Sequence, residues 1–299
     1  MPNNKNRTDN NRVKEDIFGG TEILACIDGS STSSSVCDYA AWIAVTTDRP
    51  LKLVHTIEQN YNAAISDYSG AIGLGSQQAL LKELTEVEQS HASLLIKKGQ
   101  MMLNVAKERV ENFGVTSVET YQHKGTLAES LVDLEKDMRV MVIGIRGEQH
   151  DDEHRGIGHQ LESVIRSIHR PILVVNKEYQ LPKTVMLAHD GSDFCNKALQ
   201  LMASSKLFKN LNCHIVHVGG NGAGLLESAT KILSDADIQV TSIQLEGQVD
   251  TVLTNYQVEN DIDLTLMGAF SHNRFRDFLL GSFTVKMLQA TNRPLLLLR

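Results

Sequence analysis

The segment ILACIDGS at residues 23–30 returns 162 positions later as VMLAHDGS at residues 185–192. Both are short apolar runs that end in Asp-Gly-Ser, and small and apolar residues at helical spacing follow each of them. A histidine then comes 27 residues after each aspartate, at His55 and His217, where a second apolar run ends. Two equal spacings in matching surroundings indicate that the chain is an internal duplication.

The ends of the two copies match as well. Gly158 precedes Pro171 by 13 residues, as Gly281 precedes Pro294, and each proline opens a short apolar run. Within each copy, apolar runs of four to six residues alternate with amphipathic helical stretches, which is typical of a parallel sheet covered on both faces. The sequence therefore predicts an α/β protein of two tandem Rossmann-like doubly wound units, each a five-stranded parallel sheet with helices on both faces.

The chain divides into a tail and two units. Residues 1–21 are rich in Asn, Asp, Lys and Arg and contain few apolar residues, so we expect a disordered tail, not a signal peptide. Residues 22–177 form unit 1 and residues 183–299 form the shorter unit 2, with a linker between them. The fifth strands, at 172–175 and 295–298, are apolar on both faces. We expect them to pair with each other as an internal pseudo-dimer, because bare apolar edges promote aggregation.

Most of the extra length of unit 1 lies between His55 and Gly125. The pattern there predicts a long helix from Gln77 to about Asn112, and unit 2 has only a Gly-rich turn and a modest helix instead. The apolar stripe predicted for this helix consists of Leu80, Leu84, Val87, Leu94, Met101 and Val105.

Composition narrows the classes of function. A net charge of −7 and a pI near 5.9 argue against nucleic acid or an anionic membrane as a partner. The apolar runs are too short to span a bilayer. Four cysteines without C-x-x-C spacing predict buried thiols and a cytoplasmic protein; they are Cys26, Cys37, Cys195 and Cys213.

In open sheets of this type, ligands bind beyond the carboxyl ends of the strands, where the strand order reverses. Asp28 and Asp190 follow the first strands of their units, and Gly144 and Gly268 follow the fourth. A Gly-Ser pair that opens a helix, as at Gly281, offers free amides and a hydroxyl to a phosphate.

Together, the strand-one Asp, the strand-two Val-His and the glycine pattern after strand four resemble the universal stress protein family over both halves of the chain. The resemblance implies an adenine-nucleotide site, for ATP or AMP, in each unit. In its ATP-binding members the Asp and the backbone after the His hold adenosine, and the glycines hold phosphates. The residues carried over are Asp28, Thr56, Gly144, Gly147 and Gly158 in unit 1, and Asp190, Val218, Gly268, Gly281 and Ser282 in unit 2.

Each unit departs from the family pattern. In unit 1 ten residues, not nine, separate Gly147 from Gly158, and His159 stands where a hydroxyl is expected. Unit 2 keeps the nine-residue spacing and Ser282, but Ser271 replaces the second glycine. We therefore expect unit 2 to be the better phosphate site. In unit 1 we expect adenosine to bind at Asp28 and Thr56, with phosphate affinity only when His159 is protonated.

Other motifs favour simpler interpretations. The run HDDEH at 150–154 has the residue types of a metal site, but its irregular loop favours a solvated polar segment, and we expect no metal. The run GIGH at 156–159 lacks the first His of the nucleotidyltransferase signature. We expect His55 and His217 to be core or rim histidines. No P-loop, HExxH pair or GxSxG elbow occurs.

The sequence therefore predicts a stress-response protein that binds an adenine nucleotide in a regulatory role, with at most weak ATPase activity. A homodimer is compatible with this prediction. An alternative stays open. The chain would then be an ATP-independent structural or partner-binding protein with degenerate nucleotide sites, and its long helix would carry the contact.

Overall fold

The computed structural model describes residues 19–58, 74–147, 158–269 and 282–298. Nearly all of the predicted tail lies outside this range, and the unit boundaries stay predictions. Unit 1 consists of β1 (Glu22–Cys26), α1 (Ser33–Thr47), β2 (Leu51–Ile57), α2 (Leu74–Phe113), β3 (Val118–Lys124), α3 (Leu127–Leu134), β4 (Met138–Gly144), α4 (His159–Ser167) and β5 (Ile172–Val175).

Unit 2 repeats the same order with shorter connections. Its elements are β6 (Thr184–Ala188), α5 (Asp193–Ser204), a 3-10 turn (Lys206–Phe208), β7 (Asn212–Val218), α6 (Ala223–Ser234), β8 (Val240–Leu245), α7 (Val249–Glu259), β9 (Leu264–Gly268), α8 (Ser282–Ala290) and β10 (Leu295–Leu298). No helix among the described residues is both long enough and apolar enough to cross a membrane.

The ten strands form one sheet in the order β3-β2-β1-β4-β5-β10-β9-β6-β7-β8. Within each unit neighbouring strands are parallel, so the predicted α/β fold with two five-stranded parallel units is confirmed. The two units meet where β5 and β10 pair antiparallel, with Leu296 opposite Leu173. The predicted pairing of the fifth strands is thus confirmed, and all eight residues of these two strands are buried.

The linker is held against unit 1 by aromatic contacts. The Tyr179 ring lies edge-on to Tyr39, at a centroid distance of 4.8 Å, and to Phe113, at 5.7 Å. The Tyr39 hydroxyl donates to the Gln180 carbonyl at 3.3 Å. Burial raises the pKa of Tyr179 to about 12, so its hydroxyl stays neutral in this setting. The linker therefore restricts how the units are placed.

The apolar stripe predicted for α2 does not pack on unit 1 where the structure describes its side chains. Val87, Leu94, Met101 and Val105 are between 61% and 69% exposed. The face that packs on unit 1 consists of Gly99, Leu103, Ala106 and Val110. Small residues at 99 and 106 let the helix lie close to the sheet, which a pattern of large apolar residues does not reveal. The side chains of Leu80 and Leu84 lie outside the described residues.

All four cysteines are buried and unpaired by disulfides, as the sequence predicts for buried thiols. Burial, the largest cause for each thiol, raises the pKa of Cys195 to about 11 and of Cys37 and Cys213 to about 12. A thiol that stays protonated is a weak nucleophile, so these side chains act as small core residues.

The pairing of β5 with β10 predicts that the two units unfold together. We expect Leu296→Ala, in unit 2, to lower the free energy of unfolding by about 2–5 kcal/mol, because it leaves a cavity in a packed core. The single tryptophan, Trp42 of unit 1, lines the same small space as Leu296.

Urea unfolding followed by Trp42 fluorescence and by far-UV circular dichroism should give coincident transitions. In Leu296→Ala both transitions should shift to lower urea concentration than in the wild type. Val258→Ala, at a position 79% exposed, is the control and should shift neither by more than about 0.5 kcal/mol. Two separate transitions, with fluorescence unmoved by Leu296→Ala, would contradict the prediction.

Candidate site at the carboxyl edge of unit 1

A cavity of about 380 Å³ lies at the carboxyl edge of unit 1, where the strand order reverses between β1 and β4. The chain turns to opposite sides of the sheet after these two strands, and a crevice opens between the departing loops. All five residues that the family resemblance names in unit 1 line this cavity; they are Asp28, Thr56, Gly144, Gly147 and Gly158. The structure therefore brings them together, as the sequence pattern predicts.

Asp28 lies two residues beyond the end of β1 and shapes the turn into α1. Its Oδ1 accepts hydrogen bonds from the Ser30 amide at 3.0 Å and the Ser33 hydroxyl at 2.9 Å. Its Oδ2 points toward Gly147, where an added Cβ atom would lie 3.4 Å away. One carboxylate oxygen thus has a structural role, and the other is directed along the cavity wall.

His55 is buried inside β2, and its ring links β2 to the end of β1. Its Nδ1 lies 2.7 Å from the Ile27 carbonyl oxygen, and in unit 2 His217 Nδ1 lies 2.8 Å from the His189 carbonyl oxygen. Because a carbonyl can only accept, Nδ1 carries the proton in both rings. The prediction that these are core histidines is confirmed, and the duplication repeats the bond as well as the sequence.

Thr56 follows His55 on β2 and faces α3. Its Oγ1 lies 3.3 Å from Ser130 Oγ, and that hydroxyl already donates to the Leu127 carbonyl at 2.8 Å. Thr56 therefore donates to Ser130, which leaves its side chain engaged with the protein. The contribution of Thr56 to a ligand would come from the backbone at this strand end.

Three glycines form a tightly packed turn between β4 and α4. An added Cβ on Gly144 would lie 2.3 Å from Thr32 Oγ1, so a larger residue there would require the Thr32 side chain to move. The Gly158 amide donates to the Ile145 carbonyl at 3.0 Å, and Gly158 is the N-cap of α4, without a side-chain cap. The free amides of the first turn of α4 thus begin beside the cavity, at the end of the helix that favours anions.

The structure adds cavity residues that the sequence analysis did not find. Arg146, within the glycine turn, and Glu58, just after β2, line the cavity. Lys98, Leu95 and Met102 line it from α2. The helix reaches this point because Gly99 packs on β2: an added Cβ there would lie 2.5 Å from the His55 ring. The glycine in the middle of a long helix was the signal for this close approach.

The corresponding edge of unit 2 is described only in part. Asp190 Oδ1 accepts from the Ser192 amide at 2.9 Å and lies 3.1 Å from Cys195 Sγ, so it shapes its turn much as Asp28 does. Val218 ends β7, Gly268 ends β9 and Ser282 begins α8. Residues 270–281, with Ser271 and Gly281, lie outside the described range, and the predicted preference of phosphate for unit 2 stays a prediction.

Two predicted features of the loop before α4 also lie outside the described residues: the HDDEH run at 150–154 and the side chain of His159. Among the described residues, no group of three or more His, Cys, Asp or Glu side chains is arranged to hold a metal ion.

Comparison with known proteins agrees with this arrangement of tandem α/β units. The family model described as "Universal stress protein family" matches residues 21–176 and 221–299. The chain belongs to the universal stress protein family. It is 36% identical over 284 residues to Universal stress protein Slr1230 from Synechocystis sp. (strain ATCC 27184 / PCC 6803 / Kazusa), covering 93% of this chain and 99% of that protein.

Solved structures show the same fold. A universal stress protein from Archaeoglobus fulgidus DSM 4304 superposes with a TM-score of 0.69 at 14% identity, over 94% of this chain and 97% of that one. A putative universal stress protein from Pseudomonas aeruginosa UCBPP-PA14 gives a TM-score of 0.58 at 13% identity, over 93% and 92% of the two chains. At these identities the likeness concerns the fold.

His189 makes the turn of unit 2 sensitive to acid. This buried ring takes the place of Ile27 in unit 1, and its Nδ1 accepts from the Gly191 amide at 3.1 Å, which requires the neutral form. Desolvation by burial lowers the pKa of His189 from its ordinary value of 6.5. The unfolded chain then binds the proton more readily, so stability is complete above about pH 6.5 and falls as the pH decreases below it.

We therefore expect the free energy of unfolding to be lower at pH 5.5 than at pH 7.5, and the difference to shrink in His189→Asn, which keeps an acceptor for the Gly191 amide. Urea titrations of both proteins at the two pH values measure this. An equal difference in the variant and the wild type would show that His189 does not cause the acid sensitivity.

Proposed function

We propose that this protein binds an adenine nucleotide, ATP or AMP, in the cavity of unit 1 and acts as a regulatory stress-response protein. The observation that supports this most directly is the convergence on one cavity of the five residues that the family pattern associates with nucleotide binding. The name of the Synechocystis relative supports the role in stress response. We place the protein in the cytoplasm, in keeping with its four unpaired thiols.

The size and chemistry of the cavity suit such a ligand. Its volume of about 380 Å³ lies within the range of small-molecule sites. Val54, Leu95, Met102 and Ile143 give it apolar walls for a base. Asp28 Oδ2 is an acceptor suited to ribose hydroxyls, and the amides at the start of α4 suit phosphate oxygens.

The described part of the site favours binding over catalysis. The buried cysteine thiols have raised pKa values and do not supply a thiolate. The Nδ1 proton of His55 is engaged with the Ile27 carbonyl. We therefore propose at most slow ATP hydrolysis, with nucleotide occupancy serving as the signal.

One observation favours the alternative of a structural, partner-binding protein. The exposed residues Val87, Leu94 and Met101 are spaced seven apart along α2 and form an apolar stripe on its outer face. A stripe of this kind is typical of a helix that contacts another protein. The two functions are compatible, since the same helix lines the cavity through Lys98 and Met102.

Asp28→Asn tests the nucleotide site with little disturbance to the turn. Asparagine retains the Oδ1 acceptor for Ser30 and Ser33 but replaces the acceptor at Oδ2 with a donor. We expect ATP and adenosine to bind the variant about tenfold more weakly, as for the loss of one hydrogen bond to a charged group. Isothermal titration calorimetry measures both affinities, and mass spectrometry of the native protein identifies any retained nucleotide.

Asp190→Asn is the matched control for Asp28→Asn, because Asp190 shapes the equivalent turn in unit 2. It should leave binding to the unit 1 cavity unchanged. Wild-type protein that binds neither ATP, AMP nor adenosine would overturn the proposed function and favour the structural alternative.

A further inference from the structure

Two cationic side chains, Arg146 and Lys98, line the cavity of unit 1. Arg146 comes two residues after Gly144, and the residue two after Gly268 in unit 2 is Phe270. Lys98 comes from α2, a 40-residue helix, whereas the matching helix α6 of unit 2 has 12 residues. The sequences of the duplicated units therefore differ at these positions.

Arg146 is built into the glycine turn. Its carbonyl oxygen would lie 3.3 Å from a Cβ on Gly144, and its Cα would lie 3.4 Å from a Cβ on Gly158, so its backbone is closely held by both glycines. Its Nε is buried and, within the described part of the chain, has no hydrogen-bond partner. Buried polar atoms are nearly always satisfied, and guanidinium nitrogens can only donate. An unsatisfied donor in a cavity wall therefore points to an acceptor supplied by a ligand.

Lys98 enters the cavity wall from a separate element. The neighbouring Gly99 holds α2 close to β2, since an added Cβ there would lie 2.1 Å from Gln122 Nε2 and 2.5 Å from the His55 ring. The position of Lys98 is thus set by the closest contact between α2 and the sheet. An ammonium group at this point adds a second positive charge to the cavity, besides the amides of α4.

Two carboxylates, Asp28 and Glu58, line the same cavity. They disfavour an anion beside them and suit hydroxyl groups instead. Asp28 and Glu58 thus suit the sugar hydroxyls of a nucleotide, whereas Arg146, Lys98 and the amides at the start of α4 suit its phosphate oxygens.

We propose that Arg146 and Lys98 form an anion subsite that binds the phosphates of the nucleotide in unit 1. This rests on the proposed function for the identity of the ligand. Arg146 contributes donors from the glycine turn, and Lys98 closes the subsite from α2. In the family pattern, a hydroxyl at the position of His159 contacts the phosphates. Here Arg146 and Lys98 supply the phosphate contacts instead. Unit 1 then prefers ATP over adenosine at neutral pH, in contrast to the expectation from the sequence that phosphate binding there requires a protonated His159.

Calorimetry with adenosine, AMP, ATP and inorganic tripolyphosphate on the full chain tests this. We expect wild type to bind ATP at least tenfold more tightly than adenosine at pH 7.5. Arg146→Gln and Lys98→Gln should each weaken ATP and tripolyphosphate about tenfold and leave adenosine unchanged. Lys97→Gln is the matched control: this exposed neighbour of Lys98 on the same helix does not line the cavity and should not change any affinity.

The outcomes separate this inference from the proposed function. Equal affinities for adenosine and ATP, or an equal loss of both in Arg146→Gln, would overturn the subsite and leave nucleotide binding intact. Tripolyphosphate binding that depends on Arg146, without any binding of adenosine, would support the subsite and overturn the adenine-nucleotide function. If none of the four probes binds, both are overturned. Thermal unfolding of each variant shows that the substitution leaves the fold intact.

Discussion

The antiparallel pairing of β5 with β10 is the contact on which the rest of the structure depends. Each unit alone would leave a fully apolar strand at the edge of its sheet, and pairing removes both edges at once. The outer strands of the joined sheet are β3 and β8, whose exposed residues include Glu119 and Thr241. Strands with polar and charged residues are suited to the outside of a sheet. The duplicated chain therefore buries its apolar edge strands and leaves polar strands at the two outer edges.

The same pairing determines where the two crevices lie. All strands of a unit are parallel, and the strand direction reverses between β5 and β10. The carboxyl ends of the unit 1 strands and those of the unit 2 strands therefore face in opposite directions. A single ligand cannot contact both crevices, so each unit has to supply a complete set of contacts from its own residues and insertions. Unit 1 does so in part with α2, a helix of 40 residues, whereas the matching helix α6 of unit 2 has 12 residues.

The sequence predicts the fold and the place of the site because both follow from periodicity. Strand ends fix which residues share an edge, so Asp28, Thr56 and Gly144 could be grouped without coordinates. Arg146 could not, because the direction of a side chain in a turn depends on how the turn packs. The packing face of α2 was missed for a similar reason. Leu94 and Met101 dominate a hydrophobicity pattern, whereas Gly99, which lies close to β2, and the buried Ala106 contribute little to it.

Tyr39 and Arg293 hold the linker by contacts to Tyr179 and Gln180. Joining the two units in one chain affects both their association and the way their sequences can change. Tethered partners meet at a local concentration on the order of millimolar, so the association of β5 with β10 does not depend on the amount of protein in the cell. In an assembly of identical subunits every substitution appears in both halves. Here the residue two positions after the fourth strand is Arg146 in unit 1 and Phe270 in unit 2, and each half of the molecule can acquire its own specificity without a change in the other.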